Sequence, residues 1–438
     1  MRSQMAFHRL AASVTAARID AAQIEIARAA VKSFKLWNFD THIATTTSGE
    51  LAQRGHAKSK RNDLRVVGLG LLASETGHVP LLHHTYPGNG SDQSVLSACL
   101  ESLGQLHDAL NEGEGRKRPA QRTLVRDGGF WSEQLELTLD VVGYYSLISL
   151  PLSHHAAEQA LALAAQRGAM RPLSGALSEV RVARLNTSVG ELNRTLLVVE
   201  SKSLLEGQKR GIAVALAKAQ RELRKLEQHV ENRKISRSSL EHRIKKALRR
   251  EHLTAFVVTE VGGTESAPTF TWRVDTERRR ELERTRLGRR VLCTDQHSWS
   301  SERIVTAFRG QWNVEEMFRR AKGGGVVPWG PSFQWADTSL RFHTFASVIG
   351  LMLVSLVRLA LETEVSARGM MERLAAIEAT MVRTSRPGMG RRPTVHLAPE
   401  LDALQRRAVK IFELERWLPA LSSAMERRKK SGASSSIS

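Results

Sequence analysis

The stretch from Phe34 to Leu150 constrains the fold more than any other, because its apolar residues change period in a set order. Phe34 to Thr46 alternates, with Phe34, Leu36, Asn38 and Asp40 on one side and Lys35, Trp37 and Phe39 on the other, the pattern of a strand. Leu64 to Ala73 and Val79 to Tyr86 are two more Leu/Val-rich strands, with Gly77 marking the turn between them. Pro87-Gly88-Asn89-Gly90 closes the third strand, and Ser91 or Asp92 caps a helix running to about Asn111. A fourth strand, Arg122 to Arg126, ends at Asp127-Gly128-Gly129-Phe130. A short helix from Ser132 and a fifth strand, Tyr144 to Leu150, follow. Short links make the first three strands an antiparallel meander. The helical crossovers make the fourth and fifth parallel to the first. The expected core is therefore α/β, with a mixed five-stranded sheet and helices.

Residues 154–250 read as mostly helical. Within them, 201–250 carries 15 Lys and Arg against 5 Glu and no Asp, an excess larger than solvation of a helix face requires. Leu253 to Val258, Thr269 to Val274 and Gly288 to Cys293 read as strands, so about 170–295 is a helical and β insertion. Phe308 to Lys322 reads as one helix. Val314, Met317, Phe318 and Ala321 share a face, Glu315 sits at its edge, and Lys322 lies seven positions on, almost above Glu315. Glu316 points about 100° further round, towards solvent. An amphipathic surface helix with ordinary charges fits the same pattern. A long apolar helix from Ser339 and a last amphipathic helix over 399–416 complete the chain, with a disordered tail expected over 427–438. The expected organisation is a helical region 1–33, a core in two parts (34–168 and 299–363) split by the insertion 169–298, and a helical region 364–438.

The formal charge of +20 and a pI near 10.6 point to a polyanionic partner. Cys99 and Cys293 are the only cysteines, which excludes a disulfide framework and a Cys-rich zinc site and fits a reducing cytoplasm. No apolar leader precedes a cleavage site. The most apolar run, Phe345 to Val357, is shorter than a bilayer span and is bracketed by Arg341, His343 and Arg358, so no membrane partner is expected.

Phe308-x2-Gln311-x3-Glu315-x6-Lys322 resembles the Y-x2-R-x3-E-x6-K signature of DDE transposases, most closely the IS-four family of bacterial insertion-sequence transposases. Phe308 replaces the Tyr and Gln311 the Arg. Asp127-Gly128-Gly129-Phe130 resembles the family's second motif, and Asp40-Thr41 its first. Arg54-Gly55-His56 to Asp63 and Pro87-Gly88-Asn89-Gly90-Ser91-Asp92 resemble further stretches common in the group. The resemblance covers about residues 34–360. It implies an RNase H-like (retroviral integrase-like) fold, whose element order matches the one above, with the first and fourth strands neighbours and Asp40 beside Asp127. Two carboxylates so close repel unless a divalent cation neutralises them. The resemblance further implies phosphodiester hydrolysis and strand transfer, with Asp40, Asp127 and Glu315 as catalytic acids holding two Mg²⁺ or Mn²⁺ ions. The implied partners are the terminal inverted repeats of an element and target DNA, bound by a homodimer. Lys322 is expected on a DNA phosphate, with Gln311 and Arg319 beside it. Gln311 can hydrogen-bond there but supplies no charge.

The basic runs add Arg54, Lys58 and Lys60 in a loop, and Arg243, Lys245, Lys246, Arg249 and Arg250 in the insertion, as phosphate contacts. The loop reads equally as a solvated hairpin tip. His56, His83, His84, His154, His155 and His343 are isolated, and isolated histidines are more often structural than ligands. Trp131, Trp299 and Trp312 read as core residues before they read as stacking platforms. Two alternatives to an active transposase stand: a metal-dependent nuclease of the same fold, and a non-catalytic DNA-binding relic.

Overall fold

The computed structural model describes residues 11, 14–30, 36–45, 49–55, 65–90, 92–114, 122–166, 168–232, 234–250, 252–311, 327, 334, 336–378, 380–383, 394–397 and 400–417. In chain order its elements are α1 (Ala16–Ala30), β1 (Leu36–Thr45), β2 (Arg65–Ser74), β3 (Pro80–Pro87), α2 (Asp92–Glu114) and β4 (Arg122–Arg126). A 3-10 turn (Gly128–Phe130), α3 (Glu133–Val141), β5 (Tyr144–Leu150), α4 (His155–Ala164), β6 (Arg171–Pro172), β7 (Val180–Val189) and β8 (Leu192–Ser201) follow. Next come α5 (Lys202–Glu231), α6 (Arg237–Ala247), α7 (Leu253–Phe256), β9 (Val257–Gly263), β10 (Pro268–Val274), α8 (Thr276–Thr285), β11 (Arg289–Thr294) and α9 (Ser301–Arg309). The chain ends with α10 (Asp337–Leu361), α11 (Ala367–Ala375), β12 (Thr380–Arg383), β13 (Thr394–Leu397) and α12 (Ala403–Ile411). These elements form two compact units, one of residues 1–124 and 310–438, the other of residues 125–309.

In the first unit β3, β2 and β1 form the expected antiparallel meander, with Asp40 paired to Gly70 and Gly70 to His84. Asp40 lies mid-strand rather than at a strand end, because β1 runs on to Thr45. β2 and β3 are buried almost end to end, as strands covered on both faces are. Burial of that kind obliges each polar group to find a partner. His83 shows how: its backbone amide and its Nδ1 both meet Gln23 Oε1, at 2.9 and 2.7 Å, and Gln23 Nε2 donates to the His83 carbonyl. Burial holds the His83 imidazole neutral, with a pKa near 3.

The apolar segment after residue 337 forms a longer helix than its sequence suggested. α10 has 25 residues, about 37 Å of helix, and is long and apolar enough to cross a membrane. It nevertheless buries one face, including Thr344, Ser347 and Ser355. It also ties into the meander: Arg341 donates to the Thr85 carbonyl and Ser355 Oγ to that of His78.

In the second unit the strand order is β4-β5-β11-β8-β7-β6. Residues 154–250 carry the expected helices α4, α5 and α6, but within them Val180 to Ser201 is a β-hairpin turned at Gly190 and Glu191. Part of the insertion belongs to the sheet. β11 pairs antiparallel with both β5 and β8, so strands of the insertion continue the sheet beyond β5. The rest of the insertion forms its own apolar cluster around Leu216, Leu223, Leu240, Ile244, Phe256 and Phe270. Leu253 to Phe256, expected as strand, is a single helical turn before β9.

Candidate functional site

Asp127 ends β4 and caps the turn that follows. Its backbone is extended and its Oδ1 accepts the Gly128 amide at 2.8 Å, while the second carboxylate oxygen of this exposed side chain has no hydrogen-bond partner among the described residues. The turn is held from below. Phe130 is buried, and a Cβ on Gly128 would lie 2.7 Å from the Ser149 carbonyl at the end of β5, so only glycine lets the turn close against that strand. Ser132 then caps α3 by accepting the Leu135 amide at 3.2 Å.

Beneath Asp127 lies a charged network that the sequence reading missed. Arg126 is fully buried and ion-pairs with Glu136 of α3, donates to Ser146 Oγ of β5 at 2.6 Å, and reaches the Phe130 carbonyl at 3.5 Å. Arg194 of β8 approaches the other Glu136 oxygen at 3.6 Å. Arg126 thus joins the strand carrying Asp127, the turn it caps, the next helix and the neighbouring strand. An Arg next to Leu124 and Val125, at the end of a strand expected in the core, was the available signal, since a buried guanidinium requires an acid.

Asp295, just after β11, adjoins the same network. Its Oδ1 accepts the Ser146 amide at 2.9 Å. Burial is the largest influence on its carboxyl, ahead of that hydrogen bond and of Arg194, and lifts the pKa from 3.8 to about 6. The native state therefore binds this proton more tightly than the unfolded chain. The stabilisation from Asp295 is fully present below about pH 4 and is lost as pH rises through about 6, a change of at most about 3 kcal/mol. Asp295→Asn keeps the acceptor for Ser146 and removes the titration. Urea midpoints of wild type and variant should therefore converge near pH 4, with the variant the more stable at pH 7. Equal pH dependence in the two proteins would show that Asp295 is ionised without cost.

In the first unit, two of the short sequence blocks meet. A Cβ on Gly55 would fall 1.8 Å from the Gly88 carbonyl, and Gly88 donates to the Leu51 carbonyl at 3.0 Å. The carboxylate of Asp337 accepts the Glu50 and Leu51 amides, at 2.9 and 3.3 Å. This fixes the loop that presents Arg54, which is exposed and makes no ion pair among the described residues.

The Phe308–Lys322 stretch is not one uninterrupted helix. α9 ends at Arg309, and Gly310 is a turn residue. Phe308 is buried beneath the guanidinium of Arg290, 5.1 Å from its ring centroid. Gln311 is 9 % exposed, and its Nε2 has no hydrogen-bond partner among the described residues. Glu315, Glu316, Arg319 and Lys322 lie outside the described residues, as do His56, Lys58, Lys60 and Trp312. No cluster of three or more metal-ligating side chains occurs among the described residues. Asp127, an exposed hard oxygen donor, suits a single position in the shell of a hard cation.

The basic cluster of the insertion is on the surface. Lys245, Lys246, Arg249 and Arg250 are exposed without ion pairs among the described residues, and Arg243 leans on His229 Nδ1 at 3.4 Å. Lys245, Arg249 and Arg250 rim a cleft of about 520 Å³ floored by Ile244, Leu248 and Val261. Several other candidates have structural roles. His83 is held by Gln23, His154 caps α4 by accepting the Ala156 amide, and Trp131 packs edge-on against His154. Arg303 covers the Trp299 ring at 4.8 Å.

No known protein family matches the chain by sequence, and no curated protein does. By structure, the chain is similar to the piggyBac transposase, in a cryo-EM structure of its synaptic complex with hairpin DNA. That likeness has a TM-score of 0.40 and 8 % sequence identity over 78 % of this chain. The chain spans about half of that protein, 51 % of its length.

Proposed function

We propose that this chain is a DDE-type transposase of the insertion-sequence kind, cutting and joining DNA. The observation that carries the proposal is Asp127. It stands in a motif just past the end of a buried strand, on a turn closed by Gly128, with an exposed side chain. The first and third acids of the reading, Asp40 and Glu315, come from the sequence motifs. Three carboxylates are a donor set for Mg²⁺ or Mn²⁺ rather than for softer metals. When bound, such ions activate water or a 3′-hydroxyl and stabilise in-line displacement at phosphorus. The Gly128 amide fixes the direction of Asp127 by engaging one of its oxygens. Lys322 and Arg54 offer cations to DNA phosphates, and so does the basic cluster in and just after α6. A strand-transfer assay with the element's own ends tests the reading. Nicking without joining would mark a nuclease of the same fold, and binding without nicking a relic.

DNA affinity should depend steeply on salt. Each neutralised phosphate adds about −0.9 to the slope of log K against log salt. Replacing Arg243, Lys245, Lys246, Arg249 and Arg250 by Ala should flatten that slope by up to about 4.5 units. An unchanged slope in a fluorescence-anisotropy titration would take the α6 cluster off the DNA path.

A further inference from the structure

The longest described helix of the insertion, α5, has two unlike faces. Ile212, Leu216, Ala219, Leu223 and Leu226 are buried against the insertion's own core. Gly207, Arg210, Gly211, Val214, Lys218, Arg221 and Lys225 lie nearly opposite. At about 100° per residue they fall within an arc of roughly 100° and extend about 27 Å along the axis. No acid interrupts this strip. Arg210, Lys218 and Arg221 are exposed and make no ion pair among the described residues, while Lys225 pairs with Glu222 at its edge.

Two features of the strip have no account within the unit. Val214 is 74 % exposed between the cations. Gly207 and Gly211 lie inside the helix, where glycine is less favourable than alanine, and a Cβ at either would meet nothing within 4 Å. No packing contact requires them. A face that is cationic, free of acid and smooth in its first half suits a polyanion approaching close to the helix backbone. A second copy of α5 would meet like charges along its length, which disfavours self-association.

We infer that the outward face of α5 docks double-stranded DNA, with Arg210, Lys218 and Arg221 on phosphates and Gly207, Gly211 and Val214 at the point of closest approach. The inference rests on the reading of the chain as DNA-binding and extends it to a surface distinct from the α6 cluster. Phosphate contacts give affinity and register. The groove walls beside a bare helix backbone give van der Waals contact that bulk at the glycines would block.

Two variants of the full chain and one cross-link test this on a random-sequence DNA duplex several helical turns long. Arg210→Ala, Lys218→Ala and Arg221→Ala together improve helix propensity, so loss of fold is not the expected consequence. They should flatten the salt slope by roughly 2 to 3 units. The Gly207→Leu, Gly211→Leu protein should melt higher than wild type and yet bind the duplex at least about tenfold more weakly. A benzophenone side chain at position 214 should cross-link to DNA. Unchanged slope and affinity in both variants, with wild type binding normally, would overturn the docking face and leave the DNA-binding reading standing. Cross-linking of position 214 to a second protein chain would also overturn it, in favour of a helix-to-helix interface. Absence of duplex binding by wild type would overturn both readings together.

Discussion

Asp127→Asn is expected to lower Mg²⁺-dependent cleavage by at least about 10³-fold, which is about 4 kcal/mol of transition-state stabilisation. The side chain keeps its shape, and its Oδ1 still accepts the Gly128 amide as Asp127 does at 2.8 Å, so the turn should hold. What is lost is the negative charge of the carboxylate. Asp40→Asn and Glu315→Gln should behave alike, with DNA binding and thermal stability near wild type. Glu316→Gln should remain active, since one residue further along a helix is about 100° further round. Cleavage of a labelled duplex by the four variants decides the matter. An inactive Glu316→Gln beside an active Glu315→Gln would move the third acid by one residue. Four active variants would remove the transposase-type mechanism altogether.

Glu136→Leu should be among the most destabilising single changes in the second unit. Arg126 and Arg194 are 0 % and 6 % exposed, and Glu136 is the acid both approach. Breaking a buried ion pair by removing one partner typically costs about 3–5 kcal/mol, because the stranded charge stays out of water. In a unit of this size that corresponds to a melting temperature lower by roughly 6–20 °C. Removing all three charges is a different experiment. Arg126→Met, Glu136→Leu and Arg194→Met together leave no stranded ion and should recover most of the loss. Thermal melts of the single and triple variants test the pair. A single variant within about 1 kcal/mol of wild type would mean that water reaches the network and screens it.

Local signals were read well where a breaker stands at an element's edge. β4 and β5 have the expected bounds because Asp127-Gly128 and Pro151 stop them, and the helix after Ser132 begins where its cap predicts. The hairpin of β7 and β8 was misread for a physical reason. Val180 to Val189 carries Arg181, Arg184 and Asn186 on a half-exposed strand, and charge there masks the period of two. The helix expected from Phe308 was read through Gly310, which is a turn residue, while Glu315 and its apolar stripe lie outside the described residues.

The sequence by itself determined the meander, the turn that presents Asp127 and the basic character of the insertion. Each depends on neighbours within a few positions: alternation, a capping side chain, a glycine, a run of like charges. Only the tertiary structure decided that β11 lies between β5 and β8, and that Arg126, Glu136, Arg194 and Asp295 share one buried site. It likewise decided that Gly55 and Gly88 pack together and that α5 turns its cations and its two open glycines outward. Those arrangements join residues far apart in the chain. The free energy that selects them, desolvation of charge and close packing of backbone, exists only once the strands are assembled.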